Sequence, residues 1–332
     1  MEVKTYNSNR RRVRANPQVR ELAATVQLSH RDFIQPLFLD QSIRNRTPIN
    51  SLNHISSETV ESLLKQIESD IEEGINKFLL FPVPVTRSEN NFDFSFVLNA
   101  LKKINSAFGN NAWIAADVCL CSYTSHGHCG ILNKERTKVL NHETVNVLAD
   151  YSMQLAQAGA QCIAPSDMMD GRIGAIRTQL DKNGLDDISI MSYSCKFSSQ
   201  FYGPFRDACR SAPGANSELH DRKTYQVSPF NPKDALLAAF RDIEEGADIL
   251  MVKPALPYLD IIFQLKQKSQ LPVAAYHVSG EYQAIELLAE NNLLERHKGH
   301  LEIWTSLKRA GADMIISYAS RNARDWIEKN EF

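Results

Sequence analysis

A regular alternation of apolar runs with amphipathic runs constrains the fold of this chain more than any other feature. The apolar runs are short and end in turns, which is typical of buried strands of a parallel sheet. The runs between them carry apolar residues at helical spacing, as Val60, Leu63 and Ile67 do. The predicted strands are Phe33–Leu39, Lys77–Pro82, Trp113–Leu120, Gln161–Pro165, Ile188–Ser194, Ile249–Lys253, Val273–Val278 and Asp313–Tyr318.

The helices predicted between and after these strands complete the pattern of a single (β/α)8 barrel. They are Thr59–Glu73, Asp93–Phe108, Glu143–Ala158, Met168–Lys182, Pro232–Glu245, Tyr258–Lys268, Glu281–Glu290 and Leu301–Ala310, with a further helix at the C-terminus. A Gly-Ala pair follows three of them, at Gly159, Gly246 and Gly311, where the chain turns into the next strand. The chain has 332 residues and no break in composition, which suits one barrel of about 250 residues with additions. Chemistry is therefore expected at the C-terminal ends of the strands.

Two segments depart from the alternation. Residues 1–30 form a predicted N-terminal arm ahead of a catalytic domain at 31–332, and residues 196–230 form a long loop rich in Gly, Pro, Ser and aromatic residues. Loops of this length in compact domains are usually functional or disordered, and we expect an active-site lid. The arm is either a solvated tail or a segment that docks on a neighbouring subunit. Its basic residues are Arg10, Arg11, Arg12, Arg14 and Arg20.

Charge and hydropathy exclude several classes of protein. The formal net charge is −2, which gives no indication of nucleic-acid binding. No run approaches the roughly 18 apolar residues of a membrane-spanning helix, and no apolar segment follows the N-terminal arginines as in a secretory signal. We therefore expect a cytoplasmic protein, in which the six cysteines stay reduced.

The sixth predicted strand ends on Lys253, and Pro254 follows directly. Such a lysine either reaches water along its aliphatic stem or serves as a reactive amine. An ordinary lysine has a pKa of about 10.4, so roughly one in 2,500 is neutral at pH 7. Burial and a nearby positive charge are the two means of raising that fraction. Lys196 follows the fifth strand, so in a barrel both lysines project into the same mouth, and such a pair suggests Schiff-base chemistry. Taken alone, Lys196 could equally be a surface residue that opens the loop.

Three cysteines lie within eleven residues, at Cys119, Cys121 and Cys129. Residues two apart on an extended segment point the same way, so Cys119 and Cys121 can share an ion to which the loop returns Cys129. Three thiolates with an open fourth position describe a catalytic zinc site. A structural zinc closed by His126 or His128, or three unliganded core thiols, are the alternatives.

Polar groups elsewhere suit an anionic substrate. The long loop carries guanidinium groups, which bind carboxylates bidentately, and hydroxyls stand at the ends of the last two strands. Alternatively, the arginines are solvated surface charges, and the hydroxyls only pack and form hydrogen bonds at the barrel rim. Together with the lysines and cysteines, these groups predict a zinc-assisted, lysine-dependent lyase or synthase acting on a small keto acid. The candidate residues are Asp117, Ser166, Tyr202, Arg206, Arg210, Arg222, Gln226, Ser279 and Tyr318.

These motifs together closely resemble the porphobilinogen synthase family, also called 5-aminolevulinate dehydratase. The likeness runs from about Arg10 to the C-terminus. The paired lysines, the three cysteines and the Phe-Tyr-Gly-Pro-Phe-Arg-Asp stretch at 201–207 make it specific. The matching stretches are Asp117–Gly130, Ala164–Gly171, Met191–Asp207, Met251–Asp260 and Tyr276–Gly280.

The resemblance implies a (β/α)8 barrel with an N-terminal arm, assembled as a homo-octamer, that condenses two 5-aminolevulinate molecules to porphobilinogen in tetrapyrrole synthesis. It implies Schiff bases from the first substrate to Lys253 and from the second to Lys196. Ser279 and Tyr318 would hold the first carboxylate. The second carboxylate would be held by Arg206 and Arg222 with Gln226 nearby, and Cys119, Cys121 and Cys129 would hold zinc beside Asp117 and Ser166.

Two positions depart from patterns within that family. Thr224 stands where some members have a cysteine for a second zinc, and Ala238 stands where many bacterial members have a glutamate for an allosteric magnesium. The resemblance therefore implies neither of those sites here. A Schiff-base aldolase would account for Lys253 but leave Lys196 and the cysteines unexplained, and a zinc-storing oligomer would leave both lysines with ordinary pKa values.

Overall fold

The structure is a computed structural model that describes residues 10–214 and 218–329. Eight parallel strands form a closed barrel, because the last strand pairs with the first as well as with its predecessor. Two further short strands, β2 and β3, extend the sheet beside β1. The strands are β1 (Phe33–Asp40), β2 (Thr47–Pro48), β3 (Ser56–Glu58), β4 (Lys77–Val83), β5 (Trp113–Val118), β6 (Cys162–Pro165), β7 (Ser189–Lys196), β8 (Ile249–Lys253), β9 (Val273–His277) and β10 (Met314–Ser317).

Helices surround the barrel in the order that the alternation predicts. The described helices are α1 (Pro17–Ala23), α2 (Val60–Glu72), α3 (Ser95–Phe108), α4 (Asn141–Gln157), α5 (Arg172–Lys182), α6 (Gly203–Ala208), α7 (Pro232–Glu244), α8 (Leu259–Lys268), α9 (Ser279–Glu290), α10 (Arg296–Ala310) and α11 (Ala323–Glu328). No helix among them is both long enough and apolar enough to cross a bilayer.

The predicted (β/α)8 barrel is confirmed, and the sequence explains the main elements locally. Every residue of β1 is buried, as expected for a strand covered on both faces. The Thr59 hydroxyl accepts a hydrogen bond from the Ser62 N–H and caps α2. Gly159 and Gly246 follow α4 and α7 with φ of 111° and 99°, a backbone region that favours glycine.

Several predicted boundaries were wrong by a few residues. The fifth barrel strand, β7, continues to Lys196 rather than ending at Ser194, so the lysine belongs to the sheet itself. The last barrel helix begins at Arg296 rather than Leu301. The small strands β2 and β3 were not predicted, because runs of two and three residues give no periodic signal.

The predicted lid at 196–230 is partly helical, with a 3₁₀ turn at Gln200–Tyr202 followed by α6. Residues 215–217 of the lid and 1–9 of the predicted arm lie outside the described residues, as do 330–332. Within the described part of the arm, a 3₁₀ turn at Arg10–Arg14 precedes α1, and no residue of α1 is buried.

Candidate active site

A buried cavity opens at the C-terminal ends of the barrel strands, where the fold places the chemistry of such barrels. It contains eight of the candidate residues: Asp117, Cys119, Cys121, Ser166, Lys196, Tyr202, Arg222 and Lys253. It also contains four residues that sequence reasoning did not single out: Phe81, Pro82, Ser122 and Phe205. Phe205 lies in the motif at 201–207, so the motif carried a signal for it, whereas Phe81 looks like any other apolar strand residue.

The two lysines are direct partners across neighbouring strands. Lys196 of β7 and Lys253 of β8 pair in the parallel register, and both side chains are buried. Parallel neighbours in register point to the same face of the sheet, so both amines face the barrel mouth. Burial, and after it the charge of Lys196, lowers the pKa of Lys253 to about 7. About half of Lys253 is therefore a neutral amine at pH 7.

Aromatic rings surround the Lys253 amine. Its Nζ lies 4.2 Å from the ring centre of Tyr276, 4.8 Å from Phe205 and 4.9 Å from Tyr193. These rings exclude water, which favours the neutral amine, while their faces attract the cation and partly offset that effect. The balance leaves an amine that can change its charge near neutral pH.

A bulge in β7 explains how Tyr193 comes to lie beside the lysines. Residues three apart on a regular strand face opposite sides, yet Tyr193 lies within 5.6 Å of the Lys196 amine. The pairing of β7 with β8 shifts between Ser192 and Cys195, which is how a bulge restores the facing of the next residues. Sequence alternation therefore could not reveal Tyr193.

Lys196 is held by the next strand along the barrel. Its amine donates a hydrogen bond to the carbonyl oxygen of Ser166, which follows β6. Asp117 stands at the end of β5 in the same cavity. Burial raises the pKa of Asp117 to about 6, although both lysines counteract that rise. Asp117 can therefore take up or release a proton near neutral pH.

The three predicted cysteine ligands converge. Their sulfur atoms all lie within 4.8 Å of one another and are buried, so Cys119, Cys121 and Cys129 could hold a metal ion. Hydrogen bonds from the other two thiols lower the pKa of Cys129 well below its usual range. Among the described residues, no histidine or carboxylate joins the cluster. His128 instead bonds the Tyr225 hydroxyl and the Leu219 carbonyl, which speaks against a closed structural site.

The lid brings a second set of polar groups over the cavity. Arg222 donates to the carbonyl oxygens of Gly127 and Ser211, at 2.8 and 2.6 Å. Burial tends to lower the pKa of Arg222, but the negative charge of the Cys129 thiolate outweighs burial, and the pKa lies above its ordinary value. The Nε atoms of Arg206 and Arg222 and the side-chain amide of Gln226 are buried and lack partners among the residues described. Buried donors without partners are rare, and of these three residues Arg222 lines the cavity, whereas Arg206 and Gln226 do not.

Ser279 and Tyr318 are not among the residues that line the cavity. The Ser279 hydroxyl accepts from the Phe205 N–H at 3.0 Å and donates to the Phe201 carbonyl at 3.2 Å. Tyr318 shares a 3.2 Å hydrogen bond with the Tyr276 hydroxyl. Both hydroxyls therefore lie next to the ring cage of Lys253, formed by Tyr193, Phe205 and Tyr276, but already form hydrogen bonds to the lid or the barrel.

The lid is fastened across the mouth by close contacts. Arg210 pairs with Asp40 at 2.9 Å, and the Tyr202 hydroxyl donates to the carbonyl oxygen of Lys253 at 3.0 Å. A Cβ on Gly280 would lie 2.7 Å from the Phe201 carbonyl oxygen, so glycine permits this approach of lid and barrel.

Comparison with known proteins gives consistent matches over almost the whole chain. The family model described as delta-aminolevulinic acid dehydratase matches residues 7–326. A relative of that name from Bacillus subtilis is 40% identical over 321 residues, covering 96% of this chain and 97% of the relative. Its counterpart from Helicobacter pylori is 41% identical over 327 residues, covering 96% and 98%.

A solved structure gives the same result. The Toxoplasma gondii delta-aminolevulinic acid dehydratase (porphobilinogen synthase), in complex with its reaction product porphobilinogen, is 39% identical to this chain. The two superpose with a TM-score of 0.91, over 97% of this chain and 92% of that one.

Proposed function

The chain belongs to the delta-aminolevulinic acid dehydratase family, and we propose that it carries out the family's reaction through two Schiff-base lysines and a cysteine-bound zinc. The reaction is that of a hydro-lyase: two molecules of 5-aminolevulinate condense to porphobilinogen with loss of two waters, a step of tetrapyrrole and heme biosynthesis. One observation carries the proposed mechanism. Two buried lysines stand in register in one cavity, and the pKa of one is lowered to about 7.

The neutral amine of Lys253 adds to the ketone carbon of the first substrate, a proton is taken up by the departing oxygen, and water leaves as the imine forms. Asp117, whose pKa is about 6, is placed to move that proton. Lys196 forms the corresponding imine with the second substrate. Because the Ser166 carbonyl holds the Lys196 amine, its nitrogen has a fixed position facing Lys253.

We assign the substrate carboxylates to two sets of groups. The unpartnered Nε atoms of Arg206 and Arg222, with the Gln226 amide, suit the carboxylate of the second substrate. The hydroxyls of Ser279 and Tyr318 suit that of the first, after they exchange their present partners. The lid at 196–230 would shield the imines from water.

Zinc is the metal that suits three buried cysteine sulfurs, since thiolates select soft ions over magnesium or calcium. When bound by Cys119, Cys121 and Cys129, it would supply a Lewis acid for a substrate oxygen or nitrogen. Tyr225 of the lid packs against the three cysteines, and its hydroxyl accepts from the Cys129 N–H at 3.4 Å. Tyr225 therefore links the metal ligands to the lid.

The N-terminal arm supports assembly into a homo-oligomer. Helix α1 buries none of its residues in its own chain, and its apolar residue Leu22 is 86% exposed. A neighbouring subunit would cover it, and an octamer built through such arms is the assembly we propose, in the cytoplasm. Analytical ultracentrifugation of the full chain and of a variant lacking the arm tests this: equal masses would contradict it.

Substrate trapping tests the proposed mechanism directly. Protein incubated with 5-aminolevulinate and reduced with borohydride should carry substrate on Lys253, and mass spectrometry locates the adduct. Lys253→Met should lose that adduct and retain zinc, whereas Lys103→Met, on the exposed face of α3, should keep both. If neither Lys253 nor Lys196 of the unaltered protein carries an adduct, the mechanism is falsified. Full turnover in metal-free protein would contradict the role of zinc.

A further inference from the structure

The backbone before and after Lys253 is held by hydrogen bonds to residues of other elements. Before the turn, the Lys253 carbonyl oxygen accepts from the Phe197 N–H at 2.8 Å and from the Tyr202 hydroxyl at 3.0 Å. Pro254 follows and has no N–H. The next free donors are the N–H groups of Ala255 and Leu256, and these need an acceptor in a buried position.

That acceptor is the carboxyl group of Glu281, in the first turn of α9. One oxygen, Oε1, accepts from the Leu256 N–H at 2.8 Å. The other, Oε2, accepts from the Val278 N–H at 2.6 Å. The side chain is 3% exposed. A glutamate that only caps its own helix needs one oxygen, so the further bond from Leu256 requires another explanation.

Glu281 thereby joins two parts of the proposed first-substrate site. The turn that it holds on one side follows Lys253, which would bind the ketone carbon. The residue that it holds on the other side, Val278, precedes Ser279, which would bind the carboxylate of the same molecule. A fixed separation between these two anchors is what a rigid substrate-binding site requires, since a misplacement of about 1 Å can cost roughly 100-fold in rate.

We propose that Glu281 is a positioning residue for this reaction: it fixes the spacing between Lys253 and Ser279 for the first 5-aminolevulinate. This rests on the proposed role of Lys253. Among the described residues, each hydrogen bond to the carboxyl group comes from a backbone N–H, one to each oxygen, so the site needs two acceptor oxygens. Glutamine fills the same volume but offers one acceptor oxygen and turns its NH₂ toward a backbone donor.

Glu281→Gln tests the proposal, with Glu286→Gln as its matched control. Glu286 lies on the same helix and is equally buried, but it bonds to Arg296 and His300 on the outside of the barrel, away from the lysines. We expect both variants to lower the unfolding temperature. Only Glu281→Gln should slow the borohydride-trapped labelling of Lys253 by 5-aminolevulinate, by about 100-fold, with bound zinc unchanged.

A second variant covers the case in which Glu281→Gln does not fold. Glu281→Asp keeps a carboxyl group and the capping bond to Val278 but is one methylene shorter, so it cannot also reach Leu256, and we expect the same slow labelling. Labelling at the rate of the unaltered protein in either folded variant overturns the proposal. Failure of both variants to fold gives Glu281 a purely structural role and overturns it too. Absence of Lys253 labelling in the unaltered protein refutes instead the proposed function.

Discussion

Replacing Lys253 with methionine should stabilise the protein while it removes the proposed nucleophile. Lys253 is 3% exposed, and its amine has a pKa of about 7 instead of the ordinary 10.5. A lysine that resists protonation in the folded state opposes folding wherever the unfolded chain would be protonated. Methionine has nearly the same length and no charge, so it should suit the ring cage of Tyr193, Phe205 and Tyr276.

The size and the sign of the effect follow from proton linkage. Between pH 7 and 10.5 the unfolded chain binds more protons at Lys253 than the folded chain, so this lysine destabilises the fold less as pH rises through that window. With pKa values of about 7 and 10.5, the cost is about 4 kcal/mol at pH 7, about 2 kcal/mol at pH 9 and near zero above pH 11. Lys253→Met removes the titrating group and with it this dependence.

Urea unfolding followed by tryptophan fluorescence, at fixed protein concentration and with zinc present, measures the difference at each pH. The variant should have a larger free energy of unfolding than the unaltered protein at pH 7, and this gap between the two free energies should narrow steadily toward pH 10.5. Lys103→Met, at an exposed position of α3, should show no gap that depends on pH. A gap of the same size at pH 7 and pH 10, or no gap at either, would refute the assignment of Lys253 as a buried amine with a lowered pKa.

Three further substitutions probe the metal, the anion site and the lid. Cys129→Ser should remove bound zinc and activity while circular dichroism stays unchanged; retained zinc by elemental analysis contradicts the three-cysteine site. Arg222→Lys should raise the KM for 5-aminolevulinate about 10- to 100-fold, the worth of a charged hydrogen bond, and an unchanged KM argues against its role. Gly280→Ala places a Cβ 2.7 Å from the Phe201 carbonyl oxygen, so the lid should become sensitive to limited proteolysis, whereas Gly203→Ala, with nothing within 4 Å, should not.

The fold could be predicted from sequence because the barrel strands are buried on both faces and the helices packed around the barrel on one. Those two burial patterns produce distinct periodicities, and a closed barrel needs no other information than their alternation. What failed were elements shaped by tertiary contact: β2 and β3 are two and three residues long, and α6 lies in a lid that reads as irregular. Short elements of this kind are stabilised by neighbours that are distant in sequence.

For the site, sequence reasoning identified charged and sulfur-containing residues and overlooked the apolar groups that tune them. Lys196, Lys253 and the cysteines stand out because such residues are uncommon at strand ends. Tyr193 escaped notice because a bulge changes its facing, and Phe205 because its contact with the Lys253 amine is made across the lid. Glu281 only opens the predicted helix Glu281–Glu290, and the sequence does not show that its carboxyl group also binds the N–H of Leu256.

The in-register pairing of the two lysines explains why both belong in one cavity. On parallel neighbours, residues that share a register also share a face, so Lys196 and Lys253 cannot turn away from each other without breaking the sheet. The positive charge of Lys196 therefore adds to the effect of burial in lowering the pKa of Lys253. The Lys196 amine donates to the Ser166 carbonyl, whereas the Lys253 amine lies among aromatic rings, with Tyr276 4.2 Å away. The two amines therefore have different surroundings before any substrate binds.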